Sequence, residues 1–471
     1  MQRTKIVCTL GPASSDCGTV RELIAAGMDV ARLNFSHGAH DTHRALLDTV
    51  RECAVKLGEH VALLQDLQGP RIRVGTLSHE PMQLVEGQSV IVGADDGAPT
   101  ADRIPTTYEA LPSDVAPADR ILMDDGIIEL RVCSSTATEA ACEVVVGGEL
   151  YSHKGINLPG VNVTAPSFTD KDRADLEFGI AHDVDYVALS FVRSAADVEA
   201  VQAFLGERGV DTPVVAKLEK PEAVDCLDAI AAVADAIMVA RGDLAVEASP
   251  EMVPIFQKRI INTCREARVP VITATQMLES MRENPRPTRA EASDVANAIF
   301  DGSDAIMLSG ETAVGKYPVA SVGMMRKIAQ SAEEADLASA PLVRHDPGKL
   351  SVADATARAA CEAARDLGAR AIIACTHSGF TAQLVSKCRP VMPIIAATPF
   401  DHTARRAALY WGVLPLTVPP YESVEGMMQR LDAEIVKTGL VGPGDPVVVI
   451  AGTPIGRTGT TNMMRLWRVG E

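Results

Sequence analysis

The sequence predicts an α/β protein centred on a TIM (β/α)8 barrel, interrupted once by a small β-barrel domain and followed by a second α/β domain. Three observations predict it. Eight short β-rich runs alternate with amphipathic helical stretches, the number of βα units that closes such a barrel. The alternation breaks only over 71–166, where short β-rich runs are joined by turn dipeptides. Beyond about residue 340 the alternation resumes as a shorter series. A doubly wound open sheet, the rival arrangement, usually carries a Gly-rich turn after its first strand, and G-P-A-S-S (11–15) is no G-x-G-x-x-G.

The eight runs, in order, are T-K-I-V-C-T-L (4–10), V-A-R-L-N-F (30–35), V-A-L-L-Q-D (61–66), D-Y-V-A-L-S-F (185–191), V-V-A-K-L-E (214–219), A-I-M-V-A-R (236–241), V-I-T-A-T-Q (271–276) and A-I-M-L-S-G (305–310). Helix-like segments such as D-V-E-A-V-Q-A-F-L-G-E-R (197–208) separate them. The expected domains are 1–70 with 167–338 for the barrel, 71–166 for the insertion and 345–471 for the C-terminal part. In the insertion, turns fall at Glu86-Gly87, Asp124-Asp125-Gly126 and Gly147-Gly148. A linker is expected at A-P-L-V-R-H-D-P-G-K (340–349), followed by helix 351–365, strand 370–375, helix 381–388, strand 393–397 and strand 446–452. No tandem repeat is visible.

Composition excludes several classes. A chain of 471 residues exceeds what one core usually fills. No run is long and apolar enough to span a bilayer, and Met1-Gln2-Arg3 leads straight into a strand without a signal-peptide pattern. Ten scattered cysteines with no C-x-x-C suit reduced thiols in a cytoplasm better than a zinc site or disulfide framework. A formal net charge of -18 argues against nucleic-acid binding, while a local basic cluster or metal ion still permits a small anionic substrate.

Barrel active sites lie at the C-terminal ends of the strands, and here those ends are polar. Strand two ends in Arg32-Leu33-Asn34-Phe35-Ser36-His37, strand three in Asp66 followed by Arg71 and Arg73, strand five in Lys217 and Glu219. Strand six ends in Arg241-Gly242-Asp243, strand seven in Thr273, Thr275 and Gln276, strand eight in Ser309-Gly310-Glu311-Thr312. Polar tips on apolar strands are costly unless they meet partners, and one alone reads as structural; six converging on one mouth do not. Glu219 and Asp243 are suited to hold Mg²⁺. Lys217, two residues before Glu219, points to the same side of its strand, where an ammonium suits a developing negative charge in phosphoryl or enolate chemistry. The bland alternative for that pair is an internal ion pair. Arg32 offers a forked contact to phosphate, Gly242 lets a ligand approach the backbone, and Thr275 is placed to pass a proton.

The chain also resembles the pyruvate kinase family over nearly its whole length, in the segments T-K-I-V-C-T-L-G-P-A-S (4–14), A-R-L-N-F-S-H-G (31–38), K-G-I-N-L-P-G-V (154–161), S-F-V-R (190–193), M-V-A-R-G-D-L (238–244), A-T-Q-M-L-E-S-M (274–281), P-R-P-T-R-A-E-A-S-D-V-A-N-A (285–298) and M-L-S-G-E-T-A (307–313). The resemblance implies a barrel, a mobile β lid inserted after strand three and a C-terminal α/β domain. It implies transfer of the phosphoryl group of phosphoenolpyruvate to ADP, giving pyruvate and ATP, the last step of glycolysis, in a cytoplasmic homotetramer with no membrane or nucleic-acid partner. Carried over, Glu219 and Asp243 hold one Mg²⁺ and a second arrives with the nucleotide. Lys217 and Arg32 contact the phosphoryl group, Gly242, Asp243 and Thr275 belong to the substrate site, and Thr275 to the route that protonates the enolate. Asn34, His37, Arg73 and Lys154 are expected at the nucleotide.

The monovalent-cation region is Asn34, Ser36, Asp66, Leu67 and Arg71. Members that need K⁺ read Asp-Thr-Lys-Gly-Pro-Glu here; members that do not read Asp-Leu-Gln-Gly-Pro-Lys. This chain reads Asp66-Leu67-Gln68-Gly69-Pro70-Arg71. The expectation is that Arg71, permanently charged, pairs with Asp66 and replaces K⁺. Two further sites are weaker. C-T-H-S-G-F-T-A (375–382) places Thr376, Ser378, Gly379 and Thr381 at a helix start, either as a phosphate cradle or as a plain cap. The resemblance gives this loop, facing G-T-P-I-G-R-T-G-T-T-N (452–462), a sugar-phosphate or nucleotide effector, although Phe380 stands where a basic residue is common. Asp124-Asp125-Gly126 reads as a hairpin turn with one nucleotide contact. A Mg²⁺-dependent lyase or aldolase is the competing enzyme class, and it needs neither the insertion nor Arg73 and Lys154. A catalytically silent metabolite sensor is disfavoured by the intact Lys217, Glu219, Asp243 and Thr275.

Overall fold

The computed structural model describes residues 2–94, 100, 102–337, 350–457 and 459–471. The expected linker at 340–349 and the domain limits at 338 and 345 lie outside them. All eight predicted barrel strands form: β1 Lys5–Thr9, β2 Val30–Asn34, β3 Ala62–Asp66, β4 Tyr186–Leu189, β5 Val214–Leu218, β6 Ala236–Ala240, β7 Val271–Ala274 and β8 Ala305–Leu308. They close as a parallel barrel in the order β1-β8-β7-β6-β5-β4-β3-β2. Burial explains the continuous apolar runs: every residue of β1, β3, β4, β5, β6, β7 and β8 is buried, as strands covered on both faces must be.

Alternation along the strands divides two cores. Val7, Val30, Leu64, Tyr186, Val215, Met238, Ile272 and Met307 fill the lumen. Their neighbours Ile6, Leu33, Leu63, Val187, Ala216, Val239 and Ile306 pack against the helices. The lumenal row therefore continues upward, two residues at a time, into Thr9, Arg32, Asp66, Ser190, Lys217 and Ser309.

The lower rim repeats one device four times. The residue before each even-numbered strand is an aspartate, and its Oδ2 accepts a backbone N–H from the neighbouring odd strand: Ile6 to Asp29, Leu63 to Asp185, Val214 to Asp235 and Val271 to Asp304, each at 2.8 Å. Each aspartate's own N–H returns to the carbonyl of that same residue at 3.0 Å. The motif spans two βα units of unequal length, so it leaves no fixed sequence period.

Between β3 and β4 lies the inserted β unit. Its main sheet runs Ile156–Asn157, Arg120–Met123, Ile128–Ser135, Glu139–Val146, Ser89–Ala94, Arg103–Thr106, with a separate two-stranded pairing of Met82–Leu84 and Gly148–Leu150. Arg73 bridges Gly155 at one edge and Val74 bridges Thr106 at the other, so the entering chain closes the sheet into a small barrel. The C-terminal sheet is β9 Ala371–Cys375, β10 Ile394–Thr398, β11 Val413–Thr417, β12 Pro446–Gly452 and β13 Thr461–Arg468, ordered β11-β10-β9-β12-β13. Its neighbouring loops and helices sit under the barrel: Lys387 and Arg389 ion-pair with Asp304, and Arg405 with Asp185.

Candidate active site

At the upper rim the lumenal side chains form one buried network. The Asp66 carboxylate, 1% exposed, accepts from Arg32 Nε at 2.6 Å on one oxygen and lies 3.1 Å from Lys217 Nζ on the other. Arg32 also donates to Thr9 Oγ1 at 2.9 Å. Lys217 donates to Ser190 Oγ at 2.6 Å and pairs with Glu219 Oε1 at 2.9 Å. Ser190 donates onward to the Leu67 carbonyl at 2.7 Å, and Glu219 Oε2 accepts the Phe191 N–H at 2.6 Å. Four strands and three loops are thereby joined around one ammonium.

The electrostatics follow from this packing. Burial works against the Asp66 carboxylate, but Arg32 and Lys217 outweigh it and hold its pKa below the ordinary value. Burial likewise opposes the Lys217 ammonium, and Asp66 with Glu219 overcomes that, so its pKa stands above the usual lysine value. Glu219 goes the other way: burial raises it, Lys217 only partly compensates, and Asp243 raises it further. Burial also raises Asp243, against the pull of Lys217 and Arg71. Two carboxyls at one mouth thus remain short of positive charge.

Strand seven supplies the opposite wall. Thr275 and Gln276 have φ of 70° and 54°, a left-handed bend that is costly for a β-branched threonine. Arg241 holds that bend: its guanidinium donates to the carbonyls of Ala274 at 3.2 Å and Thr275 at 2.8 Å while pairing with Asp294. Thr275 Oγ1 accepts the Gly242 N–H at 2.7 Å and donates to the Ala274 carbonyl at 2.6 Å. Gly242, Asp243, Thr275, Gln276 and Ser309 line one side of an open cleft of about 640 Å³, and Arg120, Asp125 and Gly126 of the inserted unit line the other.

The expected nucleotide residues divide. His37 lies among Arg71, Arg73 and Arg32; burial first and then those cations push its pKa down. Lys154 instead pairs with Asp124 at 2.8 Å inside the inserted unit. Asp124, Asp125 and Gly126, all at positive φ, form the hairpin turn the sequence suggested. Asn34 Oδ1 accepts the Ser36 N–H at 3.2 Å.

Several expectations are corrected. Arg71 does not pair with Asp66, whose oxygens are taken by Arg32 and Lys217. Among the described residues Arg71 makes no ion pair; it lines a pocket together with Arg193, Lys220 and Asp243. Thr273 faces outward to Ser303 Oγ at 2.7 Å. Glu311 and Thr312 are structural: Glu311 accepts the N–H groups of Leu278 and Ser309, and Thr312 donates to the Thr9 carbonyl. Ser190 and Thr9 belong to the network although the sequence reading gave them no role; their lumenal parity with Tyr186 and Val7 was the available signal.

The two C-terminal loops meet. Thr376, Ser378, Thr381, Gly456, Arg457 and Thr460 line one pocket. Gly379, at φ 89°, is the N-cap of the helix Phe380–Lys387, and its N–H donates to Thr376 Oγ1 at 2.9 Å. Thr381 Oγ1 lies 2.8 Å from Thr461 Oγ1 across the two loops.

Comparison with known proteins decides the family. A model of the pyruvate kinase barrel domain matches residues 1–322, and a model of the pyruvate kinase alpha/beta domain matches 354–467. The chain belongs to the pyruvate kinase family. Pyruvate kinases of Staphylococcus aureus strains MRSA252, USA300 and NCTC 8325 are each 46% identical over 474 residues, covering 100% of this chain and 81% of theirs. As a pyruvate kinase the chain is a phosphotransferase. Among the described residues no helix is long and apolar enough to cross a membrane.

Proposed function

We propose that the chain transfers the phosphoryl group of phosphoenolpyruvate to ADP at the upper rim of its barrel, yielding pyruvate and ATP. The observation that carries the reading is the Lys217 ammonium, buried and oriented by Asp66, Ser190 and Glu219 beside two under-neutralised carboxyls. Lys217 and Arg32 meet the phosphoryl oxygens as charge spreads onto them. Asp66 positions both cations and takes no part in proton transfer. Thr275, already accepting one hydrogen bond and donating another, acts as a member of a relay to the enolate carbon.

The donor set fits Mg²⁺. Glu219 and Asp243 are both raised by burial. No third His, Cys, Asp or Glu joins them in a metal-sized cluster among the described residues. Magnesium is ordinarily held by one or two carboxylates, with waters and substrate oxygens completing its shell. When bound it supplies charge neutralisation at the substrate's carboxylate and enolate oxygens. A second Mg²⁺ accompanying the nucleotide is part of the same reading.

His37 and Arg73, with Arg71 beside them, are assigned to the nucleotide phosphates, and Asn34 to the same wall. Lys154 joins them when the inserted unit, acting as a lid, releases it from Asp124 and excludes water. Arg71 is assigned as the fixed cation of a K⁺-independent enzyme. The support is the Leu67-Gln68 pattern and a guanidinium that is felt by Asp243 and His37 yet unpaired among the described residues. The pocket between 376–381 and 452–462 is assigned to a phosphate-bearing effector, with Arg457 as its cation, in a homotetramer.

Pyruvate formation from phosphoenolpyruvate and ADP with Mg²⁺, in buffer free of K⁺, tests this function. Turnover without K⁺ that K⁺ does not raise supports the activity and the assignment of Arg71. Turnover only with K⁺ removes the assignment of Arg71. Absence of turnover under both conditions overturns the activity.

A further inference from the structure

Two cysteines outside the catalytic mouth stand in contact. Cys17 is the first residue of the helix Cys17–Ala26, whose N-cap Asp16 accepts the Thr19 N–H at 2.9 Å. Cys53 lies in the adjoining helix His40–Leu57. Their sulfurs are 2.9 Å apart, and Cys53 Sγ also faces the Cys17 carbonyl at 3.5 Å. A disulfide bond is ~2.05 Å long, so closure needs only a small side-chain rotation on two helices already packed together. The pair is accessible on one side: Cys53 is fully buried, whereas Cys17 is half-buried. No step assigned to the phosphoryl transfer uses either thiol.

We propose that Cys17 and Cys53 form a thiol–disulfide exchange site that is oxidised by a low-molecular-weight disulfide to an intramolecular crosslink. Cys17 is the attacked-from side because a reagent can reach it. Its thiolate attacks one sulfur of the reagent, breaking the reagent's S–S bond and releasing one thiolate, which takes up the proton that Cys17 lost. The Cys53 sulfur then attacks Cys17 Sγ, and the second reagent thiolate leaves with the Cys53 proton. Two protein thiols are oxidised, one reagent disulfide is reduced to two thiols, and the balance closes. Burial, and then Cys17 itself, pushes the Cys53 thiol up to about 11. Cys53 is therefore inert toward outside reagents and reacts only with the sulfur held against it.

The crosslink joins the helices that follow β1 and β2, and it encloses the chain between them, including the Ser36–His37 loop. Closing that loop in the unfolded chain stabilises the folded one.

The test treats the full-length protein with oxidised glutathione, blocks residual thiols by alkylation, and maps unreduced peptides. The exposed Cys133 and Cys226 report reagent activity by forming glutathione adducts in every sample. The expected result is a Cys17–Cys53 linked peptide in wild type, and an apparent unfolding midpoint a few degrees above that of the reduced protein. Cys53→Ala should carry one glutathione at Cys17 and show no midpoint rise. Cys17→Ser should leave Cys53 unmodified, which keeps the test decisive if Cys53→Ala folds poorly. Stable glutathione adducts on both cysteines, or alkylation of both after Cys133 has reacted, overturns the proposal.

Discussion

The two ends of the barrel both bury charge, and they use it differently. At the lower rim four aspartates accept backbone N–H groups from the next strand, and the two most buried, Asp185 and Asp304, are also held by cations. Those cations include Arg51 of the barrel and Arg405, Lys387 and Arg389 from beneath it. At the upper rim Asp66, Lys217, Arg32 and Ser190 are equally buried, yet the network ends in groups with unspent charge: Glu219 and Asp243 on one side, Arg71 and Arg73 on the other. Buried charge alone therefore does not mark a site. What marks the upper rim is charge left over once the internal partners are counted, facing an open cleft.

That comparison can be broken by substitution at either end. The largest expected effect on activity is Lys217→Met, which removes the ammonium that contacts both Asp66 and Glu219; kcat should fall by roughly 10²–10³-fold or more, with circular dichroism unchanged. The largest expected effect on stability is Asp304→Ala. It leaves Lys387 and Arg389 buried without their carboxylate, a loss of about 3–5 kcal/mol, seen as a lower denaturant midpoint, while kcat of the folded fraction stays close to wild type.

Smaller changes sharpen the contrast. Arg71→Glu should either make turnover depend on K⁺ or abolish it, and unchanged K⁺-free turnover in a steady-state assay would remove Arg71 from the cation role. Ser190→Ala deletes the hydroxyl between Lys217 and the Leu67 carbonyl. Loss of the charge-assisted bond from the Lys217 ammonium, worth about 1.5–3 kcal/mol, together with the neutral bond to the Leu67 carbonyl, should lower kcat roughly tenfold or more while the protein stays folded. Smallest is Asp235→Ala, at the exposed member of the lower ring. It removes the acceptor of the Val214 N–H and should cost about 1–2 kcal/mol without affecting kinetics.

Much of the barrel was legible because strands buried on both faces give unbroken apolar runs, and because a period of two tells which residue follows another into the lumen. That parity placed Lys217 and Glu219 together and, applied evenly, also reaches Thr9 and Ser190. It argues equally that Thr273, one residue before the lumenal Ala274, points outward. The lower ring was not legible. Each aspartate's partner is set by the register between neighbouring strands, which spacing along one strand does not contain. The same is true of Asp66: its partner is Lys217 across the lumen rather than Arg71, five residues on, because Gly69 at φ 66° and Pro70 turn the chain away. In the C-terminal sheet, β11 carries Pro415 and lies at an edge, and β13, at the other edge, is mostly solvent-facing. Neither presents the apolar run that revealed the inner strands.

One paired measurement tests the account most directly: kcat for pyruvate formation and the unfolding midpoint, both on Lys217→Met and Asp304→Ala beside wild type. A crossed outcome is expected, with Lys217→Met nearly inactive yet folded, and Asp304→Ala destabilised with near-normal kcat. Retained activity in Lys217→Met would contradict the placement of phosphoryl transfer at the upper rim.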